Sequence, residues 1–255
     1  MLSGNEIKHI RSLELKKYRD AEGLFVAEGP KMVEEMLDAF PLRRLIVEEG
    51  KTFAAAPRGT KVEYVSPAVM QRLSFLKTPH DVIAVFAKPA PGEGGSLASV
   101  AERELCLALD DIQNPGNLGT IIRTASWMGV RHVFCSPSTA DVYSPKVLQA
   151  TMGALGTVRV SYCDLPDALS RCKADVWGTF LDGENIYTST LSSTGVIVIG
   201  NEGGGISREV ERTVTRRLFI PPYPPEGRHV ESLNAGMATA ITLAAFRSRY
   251  YRPIR

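Results

Sequence analysis

The chain has 255 residues, of which 44% are hydrophobic and 23% charged, and a formal net charge of +2. That length holds one large domain or two ordinary ones, and the composition excludes disordered and collagen-like classes. No stretch reaches the roughly 18 consecutive apolar residues of a membrane span, and the near-neutral charge cannot by itself name a nucleic-acid partner.

The first twenty residues are polar and charged, without the apolar core of a secretory signal, so the cytoplasm is the expected location. Between Met1 and Arg19 lie five cations, Lys8, Arg11, Lys16, Lys17 and Arg19, against two acids, Glu6 and Glu14. Such a cluster suits RNA phosphates as well as it suits an ordinary solvated face. A helical pattern at Lys8 to Tyr18 leads into LFVAEGPKMVEEMLDAF, in which a short strand meets a loop at Glu28-Gly29-Pro30 and then an amphipathic helix. LRRLIVEE, KVEYVS and DVIAVFA read as strands, with PAVMQRLSF a helix between the last two. The run AKPAPGEGGSLASV then exchanges apolar pattern for Pro, Gly and Ser. It marks a linker at residues 89–103, between a small α/β domain at 1–88 and a second domain at 104–255.

Beyond the linker, strand and helix alternate regularly, which predicts a mostly parallel sheet covered by helices. ELCLALDDI is a buried strand, Gly119 to Met128 a helix closed by Gly129, and RHVFC the next strand. ADVWGTFL, GVIVIG and RLFIPP are further strands. A last helix runs from Ser232, a plausible N-cap, to about Tyr250, with Leu233, Met237, Ile241 and Ala244 on one stripe. That stripe is buried either in its own domain or against a second copy. Arg247, Arg249, Arg252 and Arg255 close the chain without an acid among them. Four scattered cysteines, Cys106, Cys135, Cys163 and Cys172, form no CxxC pair and lack a histidine pattern, so no metal site is expected.

Three loops follow strands: NPGNLG, GNEGGGIS from Gly200 to Ser207, and IPPYPPEGRHVESLN from Ile220 to Asn234. Ligands of open parallel sheets bind beyond the carboxyl ends of the strands, where all three fall. Singly, each also reads as a tight turn. Neither GxGxxG nor GxxxxGK[ST] occurs in them, which counts against dinucleotide and P-loop nucleotide binding.

In this order the loops resemble the three motifs of the SpoU-type RNA 2′-O-ribose methyltransferases: NLGTIIRTASWMG the first, VIVIGNEGGGIS the second, and IP followed by ESLNAGMATAI the third. KYRDAEGLFVAEGPKMVEE resembles, more loosely, the start of the small RNA-binding domain that many members carry. The resemblance implies a deep trefoil knot in the second domain, S-adenosylmethionine as cofactor and a homodimer with active sites at the subunit interface. It also implies an RNA substrate, ribosomal rather than transfer RNA. By position, Gly200, Ile220 and Leu233 would contact the cofactor, and Asn117, Arg123, Glu202, Ser232 and Asn234 would form the catalytic set. A guanidinium stays charged at any working pH, so Arg123 is expected to clamp the nucleophile electrostatically rather than act as a base. Glu202 is expected to order its loop or pair with an arginine. Two features depart from the family. The loop Pro221 to Ser232 is longer and richer in proline, and Ala235-Gly236 stands where Val-Ser is common. A transfer-RNA enzyme, and a non-catalytic RNA-binding protein on the same fold, stay open.

Overall fold

A computed structural model of the chain describes residues 2–90, 92 and 94–250. In chain order it begins with α1 (Gly4–Ser12), α2 (Lys16–Glu22), β1 (Leu24–Glu28), α3 (Pro30–Met36), β2 (Leu42–Glu48), β3 (Val62–Val65), α4 (Pro67–Leu73) and β4 (Val82–Ala87). There follow α5 (Leu97–Ala101), β5 (Leu105–Leu109), α6 (Pro115–Trp127), β6 (His132–Cys135), α7 (Pro145–Thr151) and a short 3-10 turn, Ala154–Gly156. The chain continues through β7 (Arg159–Tyr162), α8 (Leu165–Ser170), β8 (Val176–Phe180), β9 (Glu184–Asn185) and β10 (Gly195–Ile199). It closes with α9 (Arg208–Glu211), β11 (Arg216–Phe219) and α10 (Ala235–Ser248). Two compact units result: Met1–Ala90 together with Asp141–Thr157, and Pro91–Ala140 together with Val158–Arg255.

The first unit is a four-stranded mixed sheet in the order β1-β4-β2-β3, with β4 antiparallel to both neighbours and β2 parallel to β3. Where the sequence suggests one helix from Lys8 to Tyr18, α1 and α2 are separate. The Ser3 side chain and Glu6 form a reciprocal capping box at the start of α1. At its end the Arg19 guanidinium takes the carbonyls of Leu13 and Glu14 at 2.7 and 2.6 Å, satisfying groups a continuous helix would have used itself. Arg19 is only 2% exposed and pairs with Asp141 at 2.5 Å, so it is no surface cation. The segment Asp141–Thr157, distant in sequence, thereby belongs to this unit. Its Gly156 lies so close to Glu35 that a Cβ would stand 1.9 Å from the Glu35 carbonyl oxygen.

The second unit is a seven-stranded sheet in the order β7-β6-β5-β10-β8-β11-β9, with every pairing parallel. Its middle strands LCLAL and GVIVI are buried at every residue, as strands covered on both faces must be. Inside the expected linker, α5 is a helix capped by Ser96, and its Leu97, Val100 and Ala101 join the core.

Both functional helices begin at a different place from the one the sequence suggests. NPGNLG is not a loop: Asn114 caps α6 by accepting the N–H groups of Gly116 and Asn117 at 2.8 and 3.2 Å, and Pro115 occupies the first turn. The cap of α10 is Asn234 rather than Ser232, accepting from Gly236 and Met237 at 3.0 and 3.3 Å. Leu233, expected on the stripe of this helix, precedes its cap and is 43% exposed; on α10 itself Met237 is 52% exposed, Ile241 half-buried and Ala244 exposed, so the stripe is not core. Of the terminal arginines, Arg247 caps α6 by donating to the carbonyls of Met128 and Gly129, and Arg249 donates to that of Tyr187. Arg252 and Arg255 lie outside the described residues. The four cysteines are free thiols, and burial raises the pKa of Cys106 and Cys135 most. Among the described residues no helix is long and apolar enough to cross a membrane.

Candidate active site

The loops after β5 and β10 leave the adjacent central strands of the parallel sheet and are fastened to each other. Asn201 Nδ2 donates to the Asp111 carbonyl at 2.8 Å, and the Ser207 N–H donates to Asp110 Oδ2 at 2.7 Å. Asp111 takes a left-handed backbone, φ 58°, which an aspartate tolerates better than most residues. The Gly-rich turn is closed by paired backbone bonds between Asn201 and Gly205. Asn201 Oδ1 also accepts from Gly203 and Gly204 at 2.8 and 3.1 Å. Asn201 therefore fills the turn's orphan donors, and the neighbouring Glu202 is left to point elsewhere.

Glu202 accepts a hydrogen bond through Oε1 from Asn117 Nδ2. Asn117 Oδ1 in turn accepts from Asn234 Nδ2 at 2.9 Å, and Asn234 Oδ1 holds the first N–H groups of α10. The direction of this relay is fixed at both ends. A carboxylate only accepts and a backbone N–H only donates, so both amides can face only one way. Three sequence segments are thus joined by one hydrogen-bonded chain, and the partner of Glu202 is an amide rather than an arginine.

Arg123 lies farther along α6, exposed and without a hydrogen-bond or ion-pair partner among the described residues. One helical turn beyond it, Trp127 is 85% exposed. Ser232 is exposed too and takes no part in the relay. The structure therefore joins Asn117, Glu202 and Asn234 and leaves Arg123 and Ser232 outside that contact.

The expected cofactor contacts can be tested by their backbone hydrogen bonds. The N–H and C=O groups of Gly200, Ile220 and Leu233 bond to no other described residue. Backbone groups left open in two loops, Gly200–Ser207 and Ile220–Asn234, suit a ligand held by the main chain, so the residues fit S-adenosylmethionine. Gly200 has a second constraint: a Cβ there would stand 2.3 to 2.4 Å from the backbone of Gly205 and Ile206. Its glycine is required by the turn itself. The anchors Asn114, Asn201 and Asp110 escaped sequence reasoning, although Asn before Pro and Asn before a Gly run are both turn or cap signals.

The profile of the SpoU rRNA Methylase family matches residues 104–244, and that of the MRM3-like substrate binding domain matches residues 4–84. The chain belongs to the SpoU rRNA methylase family, whose fold is of the knotted α/β class. The structure of a putative RNA methyltransferase of the TrmH family from Porphyromonas gingivalis is similar at 41% identity, with a TM-score of 0.89 over 98% of this chain and 99% of that one. An AdoMet-bound rRNA methyltransferase from Sinorhizobium meliloti is similar at 29% identity, with a TM-score of 0.85 over 99% of this chain and 97% of that one. Among characterised relatives, the 23S rRNA (guanosine(2553)-2′-O)-methyltransferase RlmP of Bacillus subtilis is 28% identical, over 92% of this chain and 93% of its own.

Proposed function

We propose that the protein transfers a methyl group from S-adenosylmethionine to a ribose 2′-OH of ribosomal RNA. The observation that carries this reading is the Asn234–Asn117–Glu202 relay, which unites the three motif segments beside open backbone groups. When bound, S-adenosylmethionine supplies an electrophilic methyl group on a sulfonium. The chain's own tasks are to hold that group, to position the hydroxyl and to stabilise charge as the hydroxyl loses its proton. Gly200, Ile220 and Leu233 do the holding through their main chain. The relay keeps the Gly-rich turn and the start of α10 in fixed register. Arg123 carries an uncompensated cation suited to a phosphate and to developing negative oxygen. Ser232 offers an exposed hydroxyl next to the Leu233 contact.

The exposed Leu233, Met237 and Ala244 and the half-buried Ile241, with Trp127 on the neighbouring α6, support a homodimer in which a second copy covers this face. Ribosomal RNA is favoured because the first unit matches a substrate-binding domain and the B. subtilis relative is named for 23S rRNA. We place the enzyme in the cytoplasm, in keeping with its likeness to rRNA methyltransferases of bacteria. The deciding experiment maps ribose methylation in ribosomal and transfer RNA with and without the gene. Loss of one ribosomal 2′-O-methyl group is expected. Loss confined to transfer RNA would overturn the substrate, and no loss anywhere would overturn the activity.

A further inference from the structure

The cations of the first unit divide into those the protein uses and those it leaves open. In α1 and α2, Arg19 is buried on Asp141, and Arg11 donates to the Ser74 carbonyl and to Glu14. Lys16 pairs with Asp20 at 2.7 Å, and Lys17 lies 4.8 Å over the Tyr18 ring. Only Lys8 of that cluster keeps a charge without a partner among the described residues.

A different edge of the unit is built to present charge. The carboxyl ends of β1, β2 and β3 and the start of β4 meet at one end of the sheet, as the pairings Glu28 with Ile83, Val47 with Val82 and Glu48 with Val65 require. There Glu28, 4% exposed, accepts from Ser74 Oγ at 2.5 Å and from the Phe75 N–H at 2.7 Å. Burying a carboxylate is costly unless hydrogen bonds compensate it, and both bonds go to the loop between α4 and β4. The same loop is held by Arg11, whose guanidinium lies 4.9 Å over the Phe75 ring, and by Leu76, whose N–H donates to Ser74 Oγ at 3.0 Å. At its far end the His80 ring packs over Gly29, where a Cβ would approach it to 3.2 Å at a backbone φ of 105°. A loop fastened at both ends thus leaves Lys77, Thr78 and His80 exposed. Lys31 and Lys51 follow β1 and β2 at this end, and Arg72 lies in the last turn of α4, just before the loop; all three are exposed. The acids there are Glu48 and Asp81, both half-buried, and the exposed Glu49.

We infer that this edge, with Lys31, Arg72 and Lys77 as its contacts, is where the first unit holds the phosphate backbone of the RNA substrate. The inference rests on the RNA-directed reading above and replaces α1 and α2 as the contact surface. Rigid placement matters because phosphates recur at fixed spacing along a duplex, and a loop already ordered loses little freedom on binding.

The test uses the full-length protein and a fluorescein-labelled transcript of the 23S rRNA segment around guanosine 2553, the nucleotide for which the B. subtilis relative is named, titrated over a series of salt concentrations. Lys31→Ala/Arg72→Ala/Lys77→Ala is compared with Lys8→Ala/Lys16→Ala/Lys17→Ala, which removes the same net charge. The first triple variant should lower the slope of log K against log salt by about 0.9 for each lost duplex phosphate contact, two to three in all, and weaken binding at least tenfold near 0.15 M salt. The second should leave the slope unchanged, and Lys77→Arg should behave as wild type. S-adenosylmethionine affinity should be equal in all of them. An unaltered slope in the first triple variant, or an equal fall in both, overturns the assignment. A wild-type protein that binds the transcript and methylates no RNA overturns the activity while leaving this surface standing.

Discussion

Replacing Asn117 by aspartate alters one functional group at the centre of the relay and leaves the shape of the side chain intact. The carbonyl oxygen that accepts from Asn234 at 2.9 Å is retained, while the donor to Glu202 becomes a second carboxylate oxygen. A hydrogen bond to a charged acceptor contributes about 1.5–3 kcal/mol. Two unit charges about 4 Å apart repel by about 1–4 kcal/mol for effective dielectric constants between roughly 80 and 20. The site is half-exposed, which favours the lower ends, so about 3 kcal/mol is expected to be lost from the ordered arrangement of the three segments, or about a hundredfold in an equilibrium constant. Because the proposed main-chain contacts to the cofactor, Gly200, Ile220 and Leu233, lie in two of these segments, the loss should be seen as weaker S-adenosylmethionine binding by calorimetry near pH 8. Adding Glu202→Gln removes one charge and provides a donor to the new carboxylate, and should recover at least tenfold of that affinity. The reasoning fails if Asn117→Asp binds within threefold of wild type, or if the double variant binds no better than the single one.

Arg123→Lys should keep more methyl transfer than Arg123→Ala, which should lose about 10²- to 10³-fold in single-turnover assays with cofactor binding unchanged; full activity in the alanine variant would remove the arginine from the site. Gly200→Ala should abolish cofactor binding by displacing the Gly-rich turn, with faster amide exchange at Asn201 and Gly205; retained protection there with binding lost would place the clash on the cofactor instead. Trp127→Glu with Met237→Glu should turn a dimer into a monomer in sedimentation equilibrium at micromolar concentration, and a wild-type monomer would refute the shared interface. Hydrogen bonds from Lys16 and then Lys88 lower the Asp20 carboxyl from 3.8 to about 2. Its contribution is therefore present above pH 3.8 and fades as the pH falls through 2, so Asp20→Asn should flatten the acid limb of a denaturation profile between those values.

Legibility in the sequence followed how locally each feature is determined. LCLAL and VIVI were readable as central strands because burial on both faces leaves only apolar residues. RVSY, which forms the edge strand β7, carries an exposed Arg159 and Tyr162 and offers no such pattern. The start of α6, read as beginning at Gly119, was hidden by Gly116, a residue that usually argues against a helix, while the decisive signal was the cap at Asn114. The relay residues could be proposed only through resemblance to family motifs. Their contacts join positions 85 and 117 residues apart, a distance no periodicity reports. The dependence of Arg19 on Asp141 is hidden for the same reason, and it turned an apparent surface cation into a buried one.

That ion pair also orders events in time. A ribosome releasing this chain delivers the four strands of the first unit, through Ala87, well before Asp141. Until then a guanidinium destined for burial has no carboxylate, a state that in folded proteins costs about 3–5 kcal/mol. The contact of Glu35 with Gly153 and Gly156 is missing as well. The amino-terminal unit is therefore first in sequence without being first complete: its last piece emerges only after β5, α6 and β6 of the other unit have left the ribosome. A fragment ending at Ala90 would be permanently in that waiting state.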